Sequence, residues 1–423
     1  MKCRNCKKNK LKKVVNMGSQ PISSVFPEKK LYNLKSYPLD LYECQNCKLV
    51  QFSKLAPLED MYGQTYGYRT SLSNLMIDHM YSKYLTIINR NFLKKNDNIL
   101  DIGSNDGTFL NFFAKKKLYN IYGIDPSAEK FKNHYNKKII LIYNFFSKNN
   151  LLAKISLKKI KFNLITSFAM FYDIEDPNNF CKDIKDLLTD NGVWILELSY
   201  FPLLLKNLTY DQICHEHVTY YTLTTFQKIL NNNGMKILDF SFNEINGGSI
   251  EIICAKKKSK RKIQHKKIKK IINEEKKINS SAYKRLNLRI ENTKKIINLL
   301  LSNIKQKDII GYGASTKGNI VLNQCHINSS KLRYICDANP YKYKKFTPGS
   351  NIEIISKERM RVLKPKYLLV LIWSFRSEVI RQEIKFLKSG GKLIFHLPML
   401  HIVDKYNYKD FLDKDFKTFS FEI

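Results

Sequence analysis

The sequence predicts an α/β protein in which two parallel-sheet units follow a small cysteine-bearing domain. Three observations indicate this fold class. Short apolar runs alternate with helical patterns from about residue 94 to 256, and again from about residue 304 onwards. Each series opens with a strand, a glycine-rich turn and a helix, an alternation typical of parallel sheets. Two CxxC pairs precede the first series, and 423 residues are enough for two or three domains.

The overall composition is that of a globular protein, with 43% hydrophobic and 12% aromatic residues. No run of about 18 or more apolar residues is present, so we expect no membrane-spanning segment and no membrane partner. The first residues, MKCRNCKKNK, are basic but lack the apolar region of a signal peptide, which favours a cytoplasmic location. Nine cysteines, an odd number, argue against a disulfide framework in such a chain.

The net charge of +36 admits two interpretations. One is a nucleic-acid partner. The other is codon bias, because Lys, Asn and Ile are frequent throughout the chain. The lysine-rich stretch at 255–277 reads as solvated helix and lacks the interleaved aromatic residues that stack on bases. We therefore expect no nucleic-acid partner, and the sequence leaves the oligomeric state open.

Two cysteine pairs, CRNC and CQNC, lie some 40 residues apart near the N-terminus. Each pair can chelate a metal from a tight turn, and four thiolates suit the tetrahedral coordination of zinc. Because the protein fills all four positions, we expect a structural zinc ion that stabilises a small domain and takes no part in the chemistry. The predicted ligands are Cys3, Cys6, Cys44 and Cys47.

The two alternating series set the predicted domain organisation. In the first series, apolar strands lie within five segments: 97–110, 120–127, 162–176, 192–200 and 247–258. Charged sequence with Ile and Leu at helical spacing follows and predicts one or two bridging helices. In the second series, strands lie within 307–325, 332–340, 365–375 and 390–398. The predicted divisions are 1–70 for the metal domain, 71–256 for the first unit, 257–303 for the linker and 304–423 for the second unit.

The first glycine-rich loop, LDIGSNDGTF, predicts the ligand of the first unit. Asp101 ends the strand, and Gly103 and Gly107 allow a tight turn with close approach of the backbone to a ligand. The spacing is wider than the GxGxxG that admits a pyrophosphate. Asp125 ends the next strand, where this fold places an acid on a ribose hydroxyl. A ribose-binding acid without pyrophosphate machinery indicates S-adenosylmethionine (SAM).

Taken together, these motifs resemble those of a known family. DIGSNDGTF and GIDPS look like the cofactor motifs of class I methyltransferases, and the chain resembles, almost end to end, the three-domain sugar C-methyltransferases that act on nucleotide-linked deoxysugars. That resemblance implies a class I Rossmann-like methyltransferase domain between an N-terminal zinc-binding domain and a second, C-terminal Rossmann-like α/β domain. Further matching segments are YGYRTSLS (66–73), HEH (215–217), NGGS (246–249), GYGASTKGN (311–319), DANPYKYKKFTPGSNIEI (337–354) and LIWSFRSE (371–378).

The resemblance also implies a reaction, in which a general base enolises a nucleotide-linked keto-deoxysugar and the enolate carbon takes a methyl group from SAM. The family assigns the base to His217, with Glu216 as a polar partner that orients the sugar or the imidazole. A histidine with a pKa near neutral suits that role. Tyr66 and Tyr68 are the candidates to bond the enolate oxygen. Methyl transfer from a sulfonium needs no metal, which disfavours reading HEH as a metal site.

The remaining predicted site residues fall into two groups. The cofactor group is Asp101, Gly103, Asn105, Gly107, Asp125 and Pro126. The substrate group is Asn246, Gly247, Ser249, Lys317 and Arg376, of which the last two would hold the nucleotide diphosphate. The chain departs from well-known family members at two substrate-facing positions, with Cys214 where they carry a tyrosine and Asp173 where they carry a histidine.

Other functions were weighed against this one. GYGASTKG with Asp337 could hold a nicotinamide cofactor, but GxGxxxxG is off the dinucleotide spacing. An RNA methyltransferase would suit the basic charge and the zinc domain, yet neither an (N/D)PP(Y/F)-type motif nor a nucleophilic-cysteine pattern is evident. A SAM-binding protein that methylates a different small molecule, or one that has lost catalysis, also stays open, because Cys214 and Asp173 alter the site.

Overall fold

The computed structural model describes residues 1–62, 68–155 and 159–412. The N-terminal part is antiparallel. Its strands are β1 (Leu11–Val15), β2 (Ser19–Pro21), β3 (Ser36–Pro38), β4 (Leu41–Cys44) and β5 (Val50–Phe52), followed by the short helix α1 (Leu58–Tyr62). β1, β4 and β5 form a sheet, and β2 pairs with β3 in a separate ribbon.

The central part is built on a seven-stranded sheet. Its strands are β6 (Asn98–Ile102), β7 (Asn120–Ile124), β8 (Ile139–Ile142), β9 (Phe162–Phe168), β10 (Leu188–Ser199), β12 (Met235–Asn243) and β13 (Ser249–Lys256). The strand order is β12-β13-β10-β9-β6-β7-β8. Its helices are α2 (Asn74–Asn89), α3 (Thr108–Ala114), α4 (Lys148–Lys154), α5 (Pro177–Leu187), α6 (Phe201–Asn207) and α7 (Leu223–Asn232).

The central sheet differs from the predicted one at both edges. The sequence analysis overlooked β8 and β12, and β13 runs antiparallel to β10, so the sheet is mixed rather than all parallel. The direction of β13 has a local cause. Only a short turn at 244–248 separates it from β12, and such a connection can join only antiparallel strands. The five parallel strands β6–β10 keep the predicted α/β arrangement.

A short strand ties the N-terminal sheet to the central part. β11 (Thr219–Tyr220) follows the HEH segment by one residue and pairs with β5 rather than with the central sheet. Thr219 faces Gln51 and Tyr220 faces Val50 in this pairing. The metal-binding part therefore holds one end of the HEH segment in place through backbone hydrogen bonds.

Two helices connect the central part to the C-terminal one: α8 (His265–Glu275) and α9 (Ser280–Ser302). The buried face of α9, with Tyr283, Leu286 and Ile290, shares one hydrophobic core with β1, β4 and the C-terminal sheet. Ile and Leu at helical spacing predict this packing, since they form one apolar stripe. No helix within the described residues is long and apolar enough to cross a membrane.

The C-terminal part is a second Rossmann-like unit. Its strands are β14 (Ile309–Tyr312), β15 (Tyr334–Cys336), β16 (Glu353–Ile355), β17 (Tyr367–Val370), β18 (Lys392–Phe395) and β19 (His401–Val403), in the order β16-β15-β14-β17-β18-β19. Its helices are α10 (Thr316–Gln324), α11 (Lys357–Leu363), α12 (Arg376–Gln382), α13 (Ile384–Lys388) and α14 (Tyr408–Leu412). The first five strands are parallel and β19 is antiparallel; β16 and β19 were not predicted.

Candidate active site

A cavity of about 340 Å³ opens at the carboxyl ends of β6, β7, β9 and β10. Open α/β sheets bind ligands in this position. Five of the six residues in the predicted cofactor group line it: Asp101, Gly103, Asn105, Asp125 and Pro126. Gly103 has φ +75°, and Met170 lies 3.2 Å from where a Cβ would stand, so this turn needs glycine. The glycine-rich loop after β6 and the segment that follows β7 thus form one wall of a cavity whose position suits a nucleoside ligand.

Asp125 is held rigidly at the end of β7. Its Oδ2 accepts a hydrogen bond from the Asn105 amide at 2.9 Å, and its Oδ1 accepts from the Ser127 amide and hydroxyl at 2.6 Å each. Burial raises the pKa of the carboxyl, while these hydrogen bonds oppose the shift. A fixed acid at this strand end fits the two hydroxyls of a ribose.

Gly107 is the member of the cofactor group that does not line the cavity. It precedes α3 with φ +77°, and a Cβ there would stand 2.6 Å from the Tyr135 ring. The Tyr135 hydroxyl donates to the Asn105 carbonyl at 2.7 Å. Gly107 therefore makes room for the aromatic ring that supports the loop, so its contribution to cofactor binding is indirect.

The HEH segment is fully buried, and its three side chains have different surroundings. His215 is tied to the N-terminal part, with Nδ1 3.3 Å from the Ser23 hydroxyl and Nε2 3.1 Å from the Gln20 carbonyl. Neither carboxylate oxygen of Glu216 has a hydrogen-bond partner within the described residues. The ring of His217 lies 4.1 Å, centroid to centroid, from that of Tyr172. His215 is thus tied to the N-terminal part, whereas Glu216 keeps two unpartnered oxygens and the His217 ring packs against Tyr172.

The protonation of His217 differs from the near-neutral expectation. Burial, and then the positive charge of Lys317, lower the pKa of the imidazole to about 3. A hydrogen bond to the Gln212 backbone opposes this shift. The ring is therefore neutral at physiological pH, which leaves it able to accept a proton without first losing one.

Asp173, which is half-buried, and the buried Glu216 form an acidic pair at the HEH segment. Asp173 Oδ2 accepts a hydrogen bond from the Tyr62 hydroxyl at 2.6 Å, and Oδ1 has no partner within the described residues. Burial, and then the charge of Glu216, raise the pKa of Asp173 well above its usual range. Asp173 and Tyr62 also line the cofactor cavity. Asp173 therefore lies between this cavity and the HEH segment.

The second Rossmann-like unit reaches the HEH segment through its first helix. The Lys317 ammonium, on α10, donates to the Asn246 carbonyl at 3.0 Å. The Trp373 indole packs against Gly247, which has φ +88° and no room for a Cβ, and donates to Asp211 Oδ2 at 2.7 Å. Three of the predicted substrate residues thus lie on one side of the HEH segment, at the contact between the two units.

The remaining predicted site residues are Ser249, Arg376, Tyr68 and Tyr66. The Ser249 hydroxyl donates to the Ile245 carbonyl at 2.9 Å, an internal bond of the turn. The Arg376 guanidinium is buried and lies 3.5 Å from His401 Nε2 and 5.0 Å from the Phe411 ring, both of which belong to the C-terminal unit. Tyr68 lines the cavity and is 45% exposed. Tyr66 lies outside the described residues.

At the second glycine-rich loop, a lysine side chain contacts the strand-end acid, Asp337. The Lys342 ammonium donates to the Ala314 carbonyl at 2.7 Å and lies 3.4 Å from Asp337 Oδ2. In a dinucleotide fold this acid would bond a ribose. An internal cation on both the acid and the loop argues against a nicotinamide cofactor there.

The four N-terminal cysteines form a cluster suited to zinc. Their sulfur atoms all lie within 4.8 Å of one another. The closest pairs are Cys3–Cys47 at 3.4 Å and Cys6–Cys44 at 3.6 Å. Zn–S bonds of about 2.3 Å in a tetrahedron require sulfur separations of about 3.8 Å. The cluster therefore has the size and the ligands of a four-thiolate zinc site.

Comparison with known proteins agrees with this geometry in all three parts of the chain. Residues 3–62 match a family described as a zinc binding domain, 76–239 a methyltransferase domain, and 244–398 a C-methyltransferase C-terminal domain. The chain has the architecture of a three-domain C-methyltransferase. C-methyltransferase NovU from Streptomyces niveus is 26% identical over 408 residues, which cover 95% of this chain and 96% of that protein. This C-methyltransferase is an α/β enzyme that uses SAM, and zinc is the metal of its cysteine cluster.

Solved structures of other methyltransferases are similar to less than half of the chain. The plantazolicin methyltransferase BpumL with S-adenosylhomocysteine is 16% identical, with a TM-score of 0.34, over 44% of this chain and 86% of that one. Magnesium protoporphyrin IX methyltransferase from Synechocystis PCC 6803 is 15% identical, with a TM-score of 0.33, over 43% and 83%.

Sequence reasoning overlooked several side chains that shape this site. Tyr62, Asp211 and Glu197 received no role, although Asp211 lies four residues before HEH. Burial raises the pKa of Asp211 to about 6, and Lys317 opposes that shift. An acid so close to the HEH segment was a usable signal. The contact of Tyr62 with Asp173 joins residues 111 positions apart, and no sequence signal indicates it.

Proposed function

We propose that this C-methyltransferase methylates carbon in a nucleotide-linked keto-deoxysugar, by base-promoted enolisation. The observation that supports the chemistry is a buried, neutral His217 in a segment that also carries the unpartnered carboxylate of Glu216. The class of substrate rests on the resemblance of the motifs to sugar C-methyltransferases. A ketone next to the methylated carbon is required, because only its enolate makes that carbon a nucleophile.

His217 acts as the general base in this proposal. The hydrogen on the carbon next to the ketone leaves as a proton, the imidazole takes it up, and the bonding pair moves into the enolate. The neutral ring accepts this proton directly. SAM, when bound, supplies the methyl group on a sulfonium, and S-adenosylhomocysteine leaves as the carbon–carbon bond forms. His217 then returns the proton to solvent.

Glu216 and the tyrosines orient the substrate in this proposal. The two free oxygens of Glu216 accept hydrogen bonds from sugar hydroxyls or from the protonated imidazole. Tyr68, on the cavity wall, and Tyr66 are the candidates to donate to the enolate oxygen.

The C-terminal unit contributes the nucleotide-binding groups in this proposal. The Lys317 ammonium donates one hydrogen bond, to the Asn246 carbonyl, and an ammonium has three donors, which leaves others for a phosphate oxygen. Asn246, Gly247 and Ser249 form the turn that faces it across the contact between the two units. Arg376 is the second candidate for the diphosphate, because a guanidinium binds phosphate in a bidentate manner.

The test is turnover of the purified full chain with SAM. Substrates are a panel of nucleotide-linked 4-keto-deoxysugars and, in a separate arm, total RNA. S-Adenosylhomocysteine release and methyl gain by mass spectrometry are the readouts. We expect methylation of at least one sugar, and a loss of about 10²–10⁴-fold in His217→Ala. His134→Ala is the matched control, because that side chain is exposed.

Two outcomes would contradict the proposal. Methyl incorporation into RNA but into no sugar would make the net charge of +36 the relevant feature. Sugar methylation that His217→Ala leaves unchanged would remove the base assignment. Binding of SAM by His217→Ala, measured by calorimetry, serves as the folding control, since His217 is not part of the cavity lining.

A further inference from the structure

Asp173 lies where the cofactor cavity meets the HEH segment. It ends the turn Phe171–Asp173 that follows β9, and it forms part of the cavity lining. The preceding residue, Tyr172, contacts the His217 ring at 4.1 Å. A side chain at this position is close both to the bound cofactor and to the base, which is where the reacting carbon must lie.

The hydrogen bonds of Asp173 leave one oxygen available. Oδ2 accepts from the Tyr62 hydroxyl at 2.6 Å, whereas Oδ1 is buried and has no partner within the described residues. If the carboxyl carries a proton, that proton belongs on Oδ1, because Oδ2 already receives one from the tyrosine. The free oxygen would then be a hydrogen-bond donor.

The groups around Asp173 favour the protonated form. Tyr62 on α1 and Glu216 on the HEH loop face it, and Cys214, Tyr220 and Tyr221 also interact with it electrostatically. None of these groups carries a positive charge. Two buried carboxyls that face each other without a cation cannot both ionise at low cost. Burial, and then Glu216, accordingly raise the pKa of Asp173 well above its usual range.

We propose that Asp173 is a second catalytic residue, a neutral carboxylic acid whose Oδ1–H donates a hydrogen bond to the substrate oxygen that becomes the enolate. The inference rests on the proposed function. As His217 removes the proton from carbon, negative charge develops on the ketone oxygen, and the Asp173 proton stabilises it without leaving Oδ1. Tyr62 fixes the carboxyl, so that its donor is already oriented before the charge develops.

An ionised Asp173 is the competing role. It would attract the positive charge of the sulfonium or of a cationic substrate, and its value would lie in charge rather than in a proton. An asparagine substitution distinguishes the two roles. Asparagine has nearly the same shape and keeps a donor, but it has neither the charge nor the acidic proton.

The test compares Asp173→Asn with Asp173→Ala in the full chain, using a keto-deoxysugar that the wild-type protein methylates. We expect kcat within about tenfold of wild type for asparagine and a loss of about 10²–10³-fold for alanine. Asp190→Asn, at an exposed carboxyl, is the matched control. Tyr62→Phe, which frees the carboxyl, is expected to lower kcat about five- to tenfold.

Two further readouts separate a catalytic role from a structural one. With S-adenosylhomocysteine in place of SAM, exchange of the substrate's acidic hydrogen with deuterium from solvent should fall in Asp173→Ala by as much as kcat falls. The pH profile of kcat should lose an alkaline limb in Asp173→Asn, because an amide has no proton to lose. SAM affinity should change much less than kcat in both variants.

The outcomes distinguish this inference from the proposed function. Sugar methylation that is equal in wild type and Asp173→Ala overturns the inference and leaves the function standing. An asparagine variant as inactive as alanine, with weakened SAM binding, shows that the charge is what matters and also overturns it. Wild-type protein that methylates no keto-deoxysugar overturns both.

Discussion

Loss of the zinc ion should lower methyl transfer while leaving SAM binding intact. The perturbation is Cys44→Ser, which removes one of the four thiolates and raises the free energy of the bound state. A serine hydroxyl is a poor zinc ligand, so we expect the metal content to fall from one ion per chain to none. Cys325→Ser is the matched control, because that thiol is buried outside the cluster and a hydroxyl can keep its contact with Tyr210.

The expected magnitude follows from the connection between the zinc domain and the HEH segment. Phe52 N donates to the Val218 carbonyl at 3.1 Å, and two residue pairs join β5 to β11, directly after His217. About three backbone hydrogen bonds, at about 1 kcal/mol net each, give about 3 kcal/mol of positional stabilisation. A loss of that size corresponds to about 100-fold in the population with a correctly placed His217.

The assay pairs metal analysis with two functional measurements. We expect kcat to fall by up to about 100-fold in Cys44→Ser, and the dissociation constant of SAM to stay within about twofold. The second expectation follows because most lining residues of the cofactor cavity lie between Met76 and Glu197, in the central part, and the few at 58–70 come after β5 and after the last cysteine ligand. A zinc-free variant with full kcat would refute the reasoning, and so would a loss of SAM binding as large as the loss of kcat.

Two further predictions concern stability. Gly107→Ala should lower the free energy of unfolding by about 2–4 kcal/mol in denaturant titration, because φ is +77° and the added Cβ would meet the Tyr135 ring; an unchanged midpoint would contradict this. Glu197→Gln should cost about 3–5 kcal/mol at pH 7, since the buried carboxylate bonds Lys83 and His79 at 2.7–2.9 Å. Burial alone would raise the pKa of Glu197, but Lys83 and His79 lower it by a larger amount. The net result is a shift from 4.5 to about 2. The difference between wild type and variant should therefore be complete above pH 4.5 and shrink as the pH falls towards 2.

The sequence predicted the parts of the fold that local patterns determine. Apolar runs predicted β6, β7, β9, β10 and β14, because a strand buried on both faces is largely apolar. β8 was overlooked because its edge position leaves Ile140 half exposed beside lysines. β16 and β19, at the two edges of the second sheet, have only three residues each, too few for a periodic pattern.

The candidate site was predicted in part, for a similar reason. The glycine loop and Asp125 follow strands of one βαβ unit, so sequence spacing determines where they lie. The pairing of Tyr62 with Asp173, and of Lys317 with the Asn246 turn, depends on how separate units pack. No spacing rule encodes such contacts. The lowered pKa of His217 belongs to the same class, because it arises from burial and from a cation exactly 100 positions along the chain.

The position of the HEH segment explains why one reaction uses three domains. β5 of the zinc domain holds the segment from one side, Tyr172 at the end of β9 supports the His217 ring from a second, and Trp373 bonds Asp211 from a third. Each contact is short and buried, and together they fix the conformation of the loop. The loop is too short to form a hydrophobic core of its own. A SAM-binding unit alone would hold the methyl donor but would leave the base and its acidic neighbours without support. In the proposed function the two flanking domains therefore take part in the active site, because both support the loop that carries the proposed base.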